Sequence, residues 1–277
     1  MDRASLDLGY TNVWADPDYQ TRIAQFRVRC DALYRTAAAK RDIAYGGRPR
    51  ERFDWLSCGQ IAAPTFVFIH RGYWQNYTKD EMVFVARSPL GRGFNVILAE
   101  YTLAPEATMT EIVGEIGRLL DFLQVYDAAV GFGGRPVCLC GHSAGGQLAA
   151  LHGDHSAVTL TLATSAVFDL EPIVLSWLNE KLSSTREEIG LYTPILLASK
   201  VRTIVSVGEA ELPELVRRSH SYVAARKERS ENVATLSLPG RNHFSILGDL
   251  ADPDGIHMST SLRRSPLQAI CEISKYR

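Results

Sequence analysis

Gly141-His142-Ser143-Ala144-Gly145 is the segment whose residue types and spacing carry the sharpest chemistry in the chain. It has the form G-x-S-x-G, in which a serine occupies a sharp turn between a strand and a helix. The flanks agree with that context: an apolar run ends at Cys140 and a small-residue run opens at Ala144. Such a turn exposes the serine hydroxyl for attack on an acyl carbon. Glycine is required two residues to either side, because a larger side chain would meet the neighbouring strand and helix. The first amide of the helix, that of Ala144, would face the negative charge that develops on the attacked oxygen. A glycine-rich turn in a dinucleotide-binding unit is the competing reading; both flanking elements favour the nucleophile turn.

A serine nucleophile needs a base, and the base needs a carboxylate. On a sheet carrying this turn the three follow in the order Ser, acid, His. Of the histidines after Ser143, His243 lies just beyond an apolar run ending at Leu238, where a loop returns to the carboxyl edge of the sheet. His152 and His220 fall inside helical patterns, and His257, in a polar loop, is the weaker rival. The acid is expected in Gly208-Glu209-Ala210-Glu211-Leu212-Pro213. Glu211 stands just before a helix that Pro213 opens, and Glu209, nearer the strand, stays a rival. His70-Arg71-Gly72-Tyr73-Trp74-Gln75 follows an apolar strand and is placed to supply backbone donors to an oxyanion. The candidate donors are the N–H groups of Gly72, Tyr73 and Ala144. His70, Arg71, Tyr73 and Trp74 are candidate substrate-binding groups, with Tyr73 and Trp74 as walls for an aromatic substrate or, equally, as core packing.

These pieces have to be held by larger elements. Short apolar runs at 65–69, 95–99, 137–140, 158–162, 203–207 and 233–238 read as strands, most of them buried on both faces. Helical patterns lie between them at 79–88, 110–126, 144–153 and 213–229. Strands alternating with helices predict an α/β fold: a mostly parallel sheet with helices on both faces. Segments 42–45 and 52–56 read as two antiparallel edge strands around Gly46-Gly47. Ahead of them, Ile23, Phe26, Cys30, Leu33, Tyr34 and Ala37 recur at spacings of three and four, predicting a helix over 17–38 with Asp16 as N-cap and Pro17 as first residue. Segment 169–200 breaks the alternation with short helical pieces and is expected to cap the carboxyl edge of the sheet. No repeat or linker divides the chain, so residues 1–277 are expected to form one domain.

The 277 residues carry a net charge of −1, which argues against a nucleic-acid partner. Basic groups such as Arg48-Pro49-Arg50-Glu51-Arg52 read as solvated faces. No apolar run is long enough to span a bilayer and no secretory signal opens the chain, so a cytoplasmic protein is expected. Five cysteines is an odd count, and Cys138 and Cys140 are expected to be buried on one strand face rather than to bind a metal. Neither metal nor cofactor is expected. The expected partner is a small molecule, with a homodimer left open.

Together, H-x-G-Y-W-Q, G-H-S-A-G-G and the Gly240-Arg241-Asn242-His243-Phe244-Ser245 segment resemble the kynurenine formamidase-like α/β-hydrolases. So do Ala44-Tyr45-Gly46, Pro49-Arg50-Glu51-Arg52-Phe53-Asp54 and Phe168-Asp169-Leu170-Glu171-Pro172-Ile173, in order, over roughly 40–250. The resemblance implies an α/β-hydrolase fold and a metal-free Ser-acid-His triad that cleaves N-formylkynurenine to formate and kynurenine, with Glu211 as the acid. A carboxylesterase, a tailoring hydrolase or cyclase of secondary metabolism, and a catalytically silent binding protein are the alternatives. One position departs from the pattern: where the family has HGGYW, this chain has Arg71. Arg71 would reshape the loop, meet an anionic substrate, or point into solvent; the solvent-facing reading is the working expectation.

Overall fold

A computed structural model describes residues 2–60, 63–125 and 135–261. Eight strands form one sheet: β1 (Ala38–Ala44), β2 (Arg52–Ser57), β3 (Thr65–Ile69), β4 (Asn95–Ala99), β5 (Val137–His142), β6 (Val158–Thr164), β7 (Thr203–Gly208) and β8 (Val233–Leu238). Their spatial order is β1-β2-β4-β3-β5-β6-β7-β8. β2 runs antiparallel to both β1 and β4, and every other pairing is parallel. Strand β2 is therefore interior, and only β1 of the expected edge pair is an edge.

The helices are α1 (Arg3–Gly9), α2 (Tyr19–Thr36), α3 (Arg87–Gly91), α4 (Met109–Val125), α5 (Ala144–Leu151), α6 (Glu171–Val174), α7 (Asn179–Leu182), α8 (Arg186–Tyr192), α9 (Pro213–Glu228), α10 (Ser245–Leu250) and α11 (Ile256–Ser261). The pattern expected over 110–126 is met by α4, and residue 126 lies outside the described residues. The pattern at 79–88 divides into a 3-10 helix, Lys79–Ala86, and α3. Helix α2 starts at Tyr19, later than expected. Asp16 instead accepts from the Asp18 amide and pairs with Arg22, and so shapes the turn ahead of the helix.

Alternation along the strands splits the core into two layers. Val67, Ile69, Ile97 and Leu139 face α4 and α5, whose Ile112, Ile116 and Leu148 are fully buried. Phe66, Phe68, Val96 and Leu98 face the other side, against Phe26 and Cys30 of α2 and Leu247 of α10. Cys138 and Cys140 both belong to this second layer. Burial pushes the Cys138 thiol up to about 12, so it behaves as a small apolar group. Because β3 and β5 are adjacent and parallel, the loop after β3 and the turn after β5 emerge side by side at one sheet edge.

Arg50 departs from the solvated-face reading. It is half-buried and donates to Glu100 Oε1 at 2.5 Å and to the Tyr101 and Tyr77 carbonyls. Segment 169–200 contains α6, α7 and α8. Gln75 Nε2 donates to the Leu178 carbonyl at 2.8 Å, and Gln147 Nε2 donates to that of Tyr192 at 2.9 Å, so this segment is bonded to the loop after β3 and to α5.

Candidate active site

Ser143 links β5 directly to α5 and has φ 57° and ψ −117°. A non-glycine residue rarely holds such a conformation unless its surroundings impose it. The glycines around it show what imposes it. A Cβ on Gly141 would lie 1.9 Å from the Gly145 carbonyl oxygen, and one on Gly145 would lie 2.1 Å from that of Ile69. Strand, turn, helix and the end of β3 are thus in backbone contact, and only glycine fits. The Ser143 amide donates to the Thr164 carbonyl at 2.9 Å. The Ala144 amide, first in α5, has no intrahelical acceptor.

Glu211 and His243 come from the loops after β7 and β8. These loops touch: a Cβ on Gly208 would lie 2.1 Å from the Arg241 carbonyl oxygen. Glu211 Oε2 accepts from His243 Nδ1 at 2.9 Å. Its other oxygen, Oε1, accepts from Ser165 Oγ at 2.5 Å and from the Gly208 amide at 2.8 Å. The carboxylate is fixed by three donors, and the Nε2 of His243 lies outside this contact. No hydrogen bond joins Ser143 Oγ to His243 among the described residues; such contacts commonly tighten only when substrate binds. Ser143 is 2% exposed and His243 5%.

The rival assignments separate by position. Glu209 is exposed. His220 is exposed on α9, and His152 donates Nε2–H to the Val113 carbonyl. His257 lies on helix α11, not in a loop; it is fully buried between Asp249 and Ser206, at 2.9 Å from each.

In the loop after β3, Gly72 has φ +123°, and a Cβ there would lie 2.1 Å from the Asn76 carbonyl oxygen. Tyr73 and Trp74 follow with φ 51° and 59°. Both ring nitrogens of His70 face acceptors, the Arg71 carbonyl at 2.8 Å and Glu100 Oε1 at 3.1 Å, and its ring stacks on Tyr101. His70 is therefore a brace of the loop. Tyr73 Oη donates to the Tyr10 carbonyl and accepts from Asn12, both at 2.8 Å. Trp74 is fully buried and donates Nε1–H to Gln147 Oε1 at 3.2 Å, tying the loop to α5. Trp74 belongs to the core layer that faces α4 and α5.

Arg71 does not point into solvent. It is 4% exposed, with its guanidinium 4.0 Å from the Tyr77 ring centroid and 4.7 Å from that of Phe244. The solvent-facing expectation fails because Phe244, next to His243, closes over the cation.

Ser165, Gln147 and Glu100 lie outside the motifs, and His142 fills a variable position of G-x-S-x-G. Burial alone would raise the Glu100 carboxyl, but His70, Arg50 and the Lys79 amide together hold it below the usual carboxylate range. His142 donates Nε2–H to the His243 carbonyl at 2.9 Å. Burial, with help from His243 and Arg71, holds His142 well below the usual imidazole range, so it stays neutral beside His243. Glu100 directly follows a strand that ends beside β3, and His142 directly precedes the serine; sequence adjacency was the available signal for both.

Residues 57–197 match the family model BD-FAE, just over half of the chain. The chain belongs to the BD-FAE family. Kynurenine formamidase of Salmo salar is 29% identical to this BD-FAE chain over 232 residues, covering 77% of each protein. Kynurenine formamidase of Danio rerio is 26% identical over 276 residues, covering 91% of the chain and 92% of the relative. The esterase of Pyrobaculum calidifontis superposes with a TM-score of 0.69 at 18% identity, covering 100% of this chain and 99% of its own. Esterase B of Lactobacillus rhamnosis superposes with a TM-score of 0.73 at 17% identity, covering 99% and 97%. The fold is that of the α/β-hydrolases. Among the described residues, no helix is long and apolar enough to cross a membrane.

Proposed function

We propose that the protein hydrolyses an aryl formamide or a related amide or ester through an acyl-enzyme on Ser143. The observation that carries this reading is the Glu211–His243 contact at 2.9 Å beside a serine held at φ 57°. Substrate binding brings Ser143 Oγ to the acyl carbon, and His243 Nε2 takes the hydroxyl proton as the C–O bond forms. Glu211, itself held by Ser165 and Gly208, keeps Nδ1–H of His243 oriented and stabilises the imidazolium. The oxyanion is received by the amides of Gly72, Tyr73 and Ala144. His243 then gives its proton to the leaving nitrogen or oxygen. Water, deprotonated by the same imidazole, releases the acid and frees Ser143.

The chain works as one domain, with segment 169–200 as a cap over this edge of the sheet. The formamidase names of the curated relatives favour N-formylkynurenine as substrate. Carboxylesterase activity is the second reading, favoured by the esterases that share the fold.

The test is turnover of N-formylkynurenine and p-nitrophenyl acetate, with fluorophosphonate labelling, by the wild type and Ser143→Ala. The variant should lose labelling and nearly all turnover while keeping its fold. Stoichiometric labelling of the variant at another serine would overturn the assignment.

A further inference from the structure

Arg71 is a buried cation without a counterion. Among the described residues no carboxylate lies within ion-pair distance of it, and its Nε and Nη2 are sealed from solvent with no hydrogen-bond partner. Burying a charge unpaired is costly, and removing an anion from a buried pair leaves that cost behind. The rings of Tyr77 and Phe244 meet the guanidinium through its carbon, at 4.0 and 4.7 Å. Such contacts favour the cation through its face, whereas its N–H donors point outward in its plane. The rings therefore fix the cation and leave the donors unsatisfied.

The two unpartnered atoms share one edge of the guanidinium. That edge presents two parallel N–H groups, the fork that matches the two oxygens of a carboxylate. The same protein uses it elsewhere: Arg217 grips the two oxygens of Glu214 through Nε and Nη2 at 2.9 and 2.6 Å, and Arg22 grips those of Asp16 at 2.8 and 3.2 Å. At Arg71 the fork is formed, and among the described residues no carboxylate meets it. Its neighbours place it at the site, since Arg71 precedes the oxyanion donor Gly72 and Phe244 follows the base His243. Its charge also bears on His142, the residue before Ser143.

Building on the hydrolase reading above, we infer that Arg71 receives a carboxylate carried by the substrate, through a bidentate contact on its Nε/Nη2 edge. The preferred substrates are then anionic: aryl amides or esters bearing a carboxylate. Tyr77 and Phe244 hold the guanidinium ready for it.

The experiment compares kcat/KM for an aryl formamide bearing a ring carboxylate with that for the same formamide bearing a carboxamide, in the wild type, Arg71→Met and Arg71→Lys. The wild type should prefer the carboxylate by about ten- to a hundred-fold, the scale of a charge-assisted contact. Arg71→Met should bring the ratio near one, and Arg71→Lys, with charge but no fork, should fall between. A wild-type ratio near one, or a ratio that survives Arg71→Met, overturns the inference. Should Arg71→Met fail to fold, competitive inhibition of the wild type decides: benzoate binding at least ten-fold tighter than benzamide supports the inference, and equal inhibition overturns it. Were neither formamide turned over while Ser143 still labels, the amide reading would fail, and inhibition of ester turnover by the benzoate and benzamide pair would still judge Arg71.

Discussion

Ser165 Oγ and His243 Nδ1 grip opposite oxygens of the Glu211 carboxylate, at 2.5 and 2.9 Å. Ser165 has φ 48° and follows the strand beside β5, so Glu211 is held from the Ser143 side as well as from its own loop. Glu211→Gln keeps the shape but places an amide where an acceptor is required. On the proposed triad, its kcat should fall by about 10²–10⁴. Glu209→Gln should change kcat by less than about two-fold, because an exposed surface substitution disturbs little. Steady-state kinetics on any turned-over ester decides, and a larger loss at Glu209 would reverse the assignment.

The glycines of the nucleophile turn should answer unequally to alanine. Gly141→Ala puts a methyl 1.9 Å from a backbone oxygen that cannot move without breaking the turn. Overpacking a rigid site costs about 1–3 kcal/mol or more, and a backbone clash belongs at the upper end. Gly47→Ala meets nothing within 4 Å and should stay within about 0.5 kcal/mol of the parent. Urea unfolding of the two variants tests this, and equal midpoints would count against the close contact between turn and helix as the reason for glycine.

Trp74 separates packing from substrate contact. Trp74→Phe removes the bond to Gln147 and should cost about 1 kcal/mol of stability. Trp74→Ala should cost about 3–5 kcal/mol, the usual loss for a deleted core aromatic. A tenfold rise in KM for Trp74→Phe at unchanged stability would instead make the indole a substrate wall.

Acid should destabilise the fold through buried neutral histidines. Burial holds His142 well below the ordinary imidazole value of 6.5, and lowers His152 to about 4. Both folded values are depressed, so the unfolded chain binds protons that the native one does not. Stability from these groups is fully present above pH 6.5 and is lost as pH falls, for His152 between 6.5 and about 4. His152→Gln retains a donor for the Val113 carbonyl but cannot titrate, and should flatten the dependence of urea midpoint on pH across that window. An unchanged slope would show that His152 does not contribute.

The parts of the fold that could be read from sequence are those fixed by local pattern. β3 and β4 match the expected runs residue for residue, since every position of both strands is buried, the opening Thr65 and Asn95 included. β5 runs two residues past its apolar stretch because Gly141 and His142 continue the ladder with β6 without being apolar strand formers. The placing of Ser143, Glu211 and His243 near one another follows from strand order. Arg71 was not legible in the same way. Its environment is made by Tyr77 and Phe244, the second of them 173 positions along the chain, and no spacing rule joins them. Asp16 misled for a local reason: its side chain caps a turn and holds Arg22 instead of opening the helix.

The central placing of β3 has a kinetic consequence. It lies between β4 and β5, so the nucleophile's strand docks on a neighbour that is separated from it by the whole of α4. Parallel pairings between segments so far apart form slowly, since the chain must close a long loop before any contact rewards it. On refolding, regain of activity should therefore lag behind regain of helical signal, and an incompletely zipped sheet would expose β3 and β5 as sticky apolar edges. A chaperone that shields those edges would raise the yield of active enzyme without altering its final stability.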